Sequence, residues 1–169
     1  MKRLFLFCLL FAAASLPAAD GPASPTAALD WFPGGTWVAT LPPKPDGTTM
    51  GIELKFDRPE NGQGLRFESA FIVGGKRAPY TCGMYAWDGA KRKFVIFYTD
   101  SGGNLNTGDV TLEGDVLAHE FSSIAADGKV EPVRVRLTKR DADAFTNEIF
   151  IQKDGTWVNL VNVRYERRK

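Results

Sequence analysis

Histidine occurs once and cysteine twice in 169 residues, and neither acidic nor basic residues dominate. Each scarcity closes off a class of function. One histidine with no cysteine or acidic group at ligand spacing makes no zinc site, and the residues call for no other metal and no cofactor. Cys8 lies inside the first apolar run, so if that run is removed Cys82 is left alone and no intramolecular disulfide can form. A near-balanced charge of +1 gives no electrostatic grip on a polyanion, so nucleic acid is not an expected partner. Gly-x-Ser-x-Gly is missing, and the glycines sit between apolar segments and not in a phosphate loop, so neither a serine-hydrolase elbow nor a nucleotide cradle is present. Beyond the first run no apolar stretch approaches the roughly 20 residues a membrane helix needs, so stable membrane insertion is not expected.

The first run has its own explanation. Met1-Lys2-Arg3 followed by Leu4 to Ala14 and then Ser15-Leu16-Pro17-Ala18-Ala19 reads as a signal peptide, ending near Ala19. A lipoprotein anchor needs a cysteine at the end of such a run, and Cys8 lies in its middle. Loss of Lys2 and Arg3 lowers the 21 basic residues to 19 against 20 acidic ones. The expected organisation is a leader over 1–19, a flexible lead-in over 20–27 and one domain over 28–169, exported to a periplasm or beyond the cell. Pro25 to Phe32 is expected to form a short helix ended by Pro33-Gly34-Gly35, acting as a plug or lid.

What the chain has in quantity is apolar alternation. Hydrophobic residues make up 44% of it, enough for a core. Ile52, Leu54 and Phe56 alternate with Glu53 and Lys55, and Val133, Val135 and Leu137 alternate with Arg134 and Arg136. About ten such segments are expected: Thr36 to Leu41, Thr49 to Asp57, Gly64 to Val73, Tyr80 to Trp87, Lys93 to Tyr98, Leu105 to Leu112, Val116 to Ile124, Pro132 to Thr138, Ala144 to Gln152 and Thr156 to Glu166. Gly74-Gly75, Asp88-Gly89, Asp127-Gly128 and Asp154-Gly155 supply tight hairpin turns. An all-β, antiparallel up-and-down barrel with a short N-terminal helix follows, because closure removes the exposed edges; a sandwich is the alternative. The basic run Arg164, Arg167, Arg168, Lys169 reads as a polar, frayed tail.

Three stretches carry a resemblance. Leu29 to Trp37, with its Gly-x-Trp element entering the first strand, is similar to the opening of calycin-like barrels, the group of lipocalins, fatty-acid-binding proteins and nitrobindin-like proteins. Gly83 to Asp88 followed by Phe94 to Asp100 and Gly102, and the ending Phe145 to Arg167, resemble exported bacterial lipocalin-like domains of unknown function. The resemblance implies a barrel with a small-molecule cavity. It does not carry a haem site over, because nitrobindin-like proteins use a histidine near the C-terminus and the last two strands here have none. Fatty-acid-binding proteins hold a carboxylate with Arg-x-Tyr on the final strand, whereas this chain has the reverse, Tyr165-x-Arg167, which alternation places on one face.

Phase selects the candidate lining. His119 shares phase with Leu117 and Phe121, Asn147 with Phe145 and Ile149, Asn159 with Trp157 and Val161, Ser69 with Phe67 and Phe71, and Tyr98 with Phe94 and Ile96. Inward polar groups need partners, so these five either form an internal network or meet a ligand. Arg136 sits opposite the apolar phase and enters the cavity as an anion clamp only if its strand is inverted. Cys82 is expected to be buried and inert, and Trp31, Trp37, Trp87 and Trp157 to be core and barrel-closing residues. The leading expectation is an exported module holding a small, largely apolar molecule. A filled barrel that docks a partner on its outer surface comes second, and an enzyme using His119 as general base beside Tyr98 or Asn147 third. The residues set no oligomeric state.

Overall fold

The computed structural model describes residues 25–169. The expected leader, and the lead-in up to residue 24, lie outside the described residues. A 3-10 turn, Pro25–Leu29, precedes ten strands: β1 Thr36–Leu41, β2 Met50–Asp57, β3 Leu65–Val73, β4 Lys76–Asp88, β5 Lys93–Asp100, β6 Leu105–Glu113, β7 Val116–Ile124, β8 Val130–Lys139, β9 Ala144–Lys153 and β10 Thr156–Arg168. Every strand is antiparallel to its sequence neighbour, and β1 pairs with β10 to close the barrel. The sandwich alternative is excluded. The short N-terminal helix is the 3-10 turn and nothing longer.

Local chemistry sets the hairpins. Gly74 and Gly75, at φ 54° and 79°, and Asp154 and Gly155, at 49° and 78°, are two-residue turns with both residues left-handed. That geometry matches the twist of antiparallel partners and is open to few residues other than Gly, Asn and Asp.

The two ends of the barrel differ. One is sealed by 25–35 and by the β2–β3, β4–β5, β6–β7 and β8–β9 connections; the other carries the remaining hairpins. Leu29, Phe32, Trp37, Leu65, Leu117 and Phe145 are almost wholly buried at the sealed end. Trp31 stacks on Phe32 at 3.7 Å, Trp37 meets Phe145 edge-on at 4.9 Å, and Phe145 stacks on Tyr165 at 4.8 Å. Such pairs add to the burial of large apolar area, which is the dominant stabilising term.

Two arginines pin this plug. Arg58 donates to the carbonyls of Gly64 and Thr26 and to Asp30. Arg167 donates to the carbonyls of Pro33 (2.6 Å), Ala142 (3.1 Å) and Trp31, pairs with Asp143 at 3.0 Å, and lies 4.2 Å over the Trp37 ring. The C-terminal run is therefore no frayed tail. β10 extends through it, and Arg167 is 8% exposed because it closes the barrel. Tyr165 and Arg167 do share the inner face, and the arginine is consumed by the protein itself.

Candidate functional site

Cross-strand partners in a sheet share a face, so the ladder assigns each side chain to lumen or surface. The row Val110, His119, Val135, Ile149, Val161 faces inward on β6 to β10. The next row, Asp109, Glu120, Arg134, Phe150, Asn159, faces outward. Arg136 belongs with the outer set, between Ala118 and Glu148, and is exposed, so it faces away from the lumen.

Asn159 is also corrected. Alternation from Tyr165 predicts that 165, 163, 161, 159 and 157 face in, but β10 is bulged between Asn159 and Val161. One extra residue, Leu160, reverses the phase. Val158 opposes inward Ile151, while Asn159 and Trp157 turn out. Trp157 is therefore not core; it stacks under the Arg134 guanidinium at 4.3 Å on the outer wall. Cys82 too is exposed on the outside, with its Sγ 3.8 Å from the Thr99 hydroxyl. Trp87, at 38% exposure, is a rim residue.

Four candidates remain inside. Ser69 is buried and bonded to the Thr81 hydroxyl at 2.5 Å. Tyr98 packs edge-on against Phe67 (5.7 Å) and Phe121 (5.7 Å), and burial pushes its phenol well above the ordinary range. Asn147 projects between Leu137 and Val163; its Oδ1 is buried without a partner. The Tyr165 hydroxyl is near enough to this amide to bond it.

His119 is 2% exposed and its partner is Tyr85, which alternation had left unmarked. Nδ1 stands 3.2 Å from the Val135 carbonyl, which can only accept, so Nδ1 carries the proton. Nε2 therefore accepts from the Tyr85 hydroxyl at 3.0 Å. Neither Tyr98 nor Asn147 meets the imidazole by a hydrogen bond, so the base-and-partner arrangement expected for an enzyme is not assembled from those residues. The signal for Tyr85 was present in its phase with Trp87 and Gly83, but the pairing needs β4 and β7 to face each other across the lumen.

Burial holds the His119 imidazole at a pKa of about 4, against the opposing pull of the Val135 carbonyl. The sign of the resulting pH dependence follows. Between pH 6.5 and 4 the unfolded chain binds a proton at this site and the folded one does not, so stability falls as pH falls through that window. The expected loss between pH 7 and pH 4 is about 3 kcal/mol, read as a drop in the urea midpoint. His119→Gln should flatten this window and leave the further loss below pH 4, where the depressed carboxyls of Asp46, Asp100 and Asp109 take up protons. An unchanged slope in the variant would mean that the imidazole is not held neutral.

The lumen wall grades from closed to open. Val110, Leu117 and Leu137 near the plug are at most 4% exposed, whereas inward Ile52, Phe67, Val133, Val135, Ile149 and Val161 are half-buried, and Val158 at the far rim reaches 40%. Barrel diameter grows with strand number, and eight strands already leave only enough room for side chains or one small ligand. Around β8–β10 the inner wall of this ten-stranded barrel is built mainly from Val and Ile. Two shallow hollows lie on the outer face. One, about 780 Å³, runs over β2–β5 past Cys82, Met84 and Phe97; the other, about 460 Å³, lies beside Arg134, Phe150 and Trp157. Among the described residues no group of three or more His, Cys, Asp or Glu is placed to hold a metal ion, and no helix is long and apolar enough to cross a membrane.

No family model matches the chain, and no curated protein matches its sequence. Solved structures do. The crystal structure of Rv2717c from M. tuberculosis superposes with a TM-score of 0.58 at 15% identity, covering 86% of this chain and 99% of that one. A redesigned β-barrel, mFAP1, bound to DFHBI, matches at a TM-score of 0.34 and 20% identity over 83% of this chain and 98% of its own, and EF1p2_mFAP2b bound to DFHBI at 0.38 and 13% over 86% and 100%. At these identities the likeness to Rv2717c is one of fold alone.

Proposed function

We propose that this calycin-like barrel is an exported carrier that holds a small, largely apolar molecule in its lumen. The observation that carries the reading is the gradient of burial along the inner wall of β8–β10: apolar side chains seal one end and stay half-exposed toward the other, inside a closed sheet. Ligand sites are concave, mainly apolar and furnished with few polar groups, and the lumen has that character, with Asn147, Tyr98 and the Ser69–Thr81 pair as its polar points. Export rests on the leader pattern of residues 1–19.

The test is native mass spectrometry of protein purified from its own type of host, beside Ile149→Trp, which places an indole in the lumen. A stoichiometric apolar adduct is expected on the wild type and absent from the variant. An adduct retained by Ile149→Trp would move binding to the outer hollow along Phe97, and a bare mass that persists after incubation with lipid extract would favour a barrel that docks a partner instead.

A further inference from the structure

We propose that the lumen selects an uncharged ligand and reads one N–H or O–H group on it through the Asn147 amide. The inference rests on the lumen reading and narrows it to a ligand class. It comes from following the ladder strand by strand and asking where inward-phase side chains that carry a charge at neutral pH fall. They fall only at the two ends. Lys139 and Arg167 lie at the sealed end, and Lys76, Asp100, Glu131 and Lys153 lie at the open rim.

None of the six is placed to meet an ionised group in the middle of the barrel. Arg167 is spent on three carbonyls and Asp143, and Lys139 stands 5.7 Å over the Trp31 ring. Asp100 is held by the Asn104 amide and by the backbone N–H groups of Gly102 and Asn104. Lys76 and Lys153 sit at exposed hairpin ends. His119 between them is neutral, and its one acceptor is already taken by Tyr85. A carboxylate, sulfonate or phosphate entering the lumen would leave water without a counter-ion, which is the costly case of burial. An ammonium would fare no better.

Asn147 supplies the polar contact. Its Oδ1 is buried with no partner, and an unpaired acceptor at such a site is itself destabilising. The Tyr165 hydroxyl can serve one end of the amide, not both. The end left over is the carbonyl, and an N–H or O–H on an otherwise apolar molecule that reached Asn147 from the lumen would satisfy it.

A matched pair of probes tests this directly. N-phenyl-1-naphthylamine is uncharged and carries one N–H; 8-anilino-1-naphthalenesulfonate has the same rings and the same N–H with a sulfonate added. In fluorescence titrations of the full chain the amine should bind at least about tenfold more tightly than the sulfonate. Asn147→Leu should weaken the amine by about fivefold or more, the share of one hydrogen bond, and Ile149→Trp should abolish its binding. Equal or tighter binding of the sulfonate, lost in Ile149→Trp, would keep the lumen and overturn the selection. Amine binding unchanged by Asn147→Leu would remove the amide's role. If neither probe binds, or Ile149→Trp affects neither, the lumen reading itself fails and this inference with it. The comparison of the two probes on the wild type holds even if a variant does not fold.

Discussion

Replacing Arg167 with Ala should destabilise the protein by about 3 kcal/mol or more, because a buried guanidinium that donates to three carbonyls is lost. The loss has three sources. The carbonyls of Trp31, Pro33 and Ala142 lose a donor, and those that stay dry bear the cost of an unpaired acceptor. The Trp37 face loses the guanidinium stacked 4.2 Å from it. The segment 30–35, which also gives the Phe32 carbonyl to the Trp37 indole N–H at 2.8 Å, loses its tie to β10. Arg167→Lys should recover little of this, since an ammonium cannot bridge three carbonyls in one plane and stack at the same time. Arg164→Ala is the control: its pairs with Asp141 and Glu166 are exposed, and the change should cost about 0–1 kcal/mol. Urea unfolding of the three variants decides it. If Arg167→Ala falls with Arg164→Ala, the plug is held by its aromatic packing alone.

How much of this was legible beforehand depends on which interactions are local. Strands and turns were, because alternation and Asp-Gly or Gly-Gly pairs act over a few residues: Thr36–Leu41 and Val116–Ile124 are found at the bounds that alternation gives, and the other strands differ by a few residues at their ends. The inward faces of His119, Asn147, Ser69 and Tyr98 follow from the same period. Asn159 and Trp157 do not, since one bulged residue at Leu160 flips everything on one side of it and leaves no mark in the period itself. Partners across the lumen were equally hidden. Tyr85 lies 34 residues from His119, and Arg167 lies 134 and 136 residues from the carbonyls of Pro33 and Trp31. A basic run at the end of a chain reads as a tail until the strand that it closes against is known.

Two glycines at close strand contacts yield the other large effect. Gly83 and Gly108 have ordinary backbone angles, so conformational freedom is not what they supply; space is. A Cβ on Gly108 would stand 2.2 Å from the Glu120 carbonyl oxygen and 2.4 Å from the Phe121 Cα, and one on Gly83 would stand 2.3 Å from the Phe97 carbonyl oxygen and 2.2 Å from the Tyr98 Cβ. The atoms in the way are mostly backbone, which a rotamer change cannot move. The rings cross-strand from the two glycines, Tyr98 and Phe121, meet edge-on at 5.7 Å inside the lumen, where the partner strands approach closely. Gly108→Ala must open β6 from β7, and the expected cost is about 3 kcal/mol or more, at the upper end of overpacking. Gly114→Ala separates this from a general intolerance of side chains at glycine. Its φ of 61° is unfavourable for Ala but nothing lies within 4 Å, so about 1 kcal/mol is expected. Because Phe121 and Tyr98 face the lumen, Gly108→Ala should also weaken N-phenyl-1-naphthylamine binding, and Gly114→Ala should not. Equal stability of the two variants would show that β6 and β7 have room to spare at Gly108, and would separate the shape of the lumen from these glycines.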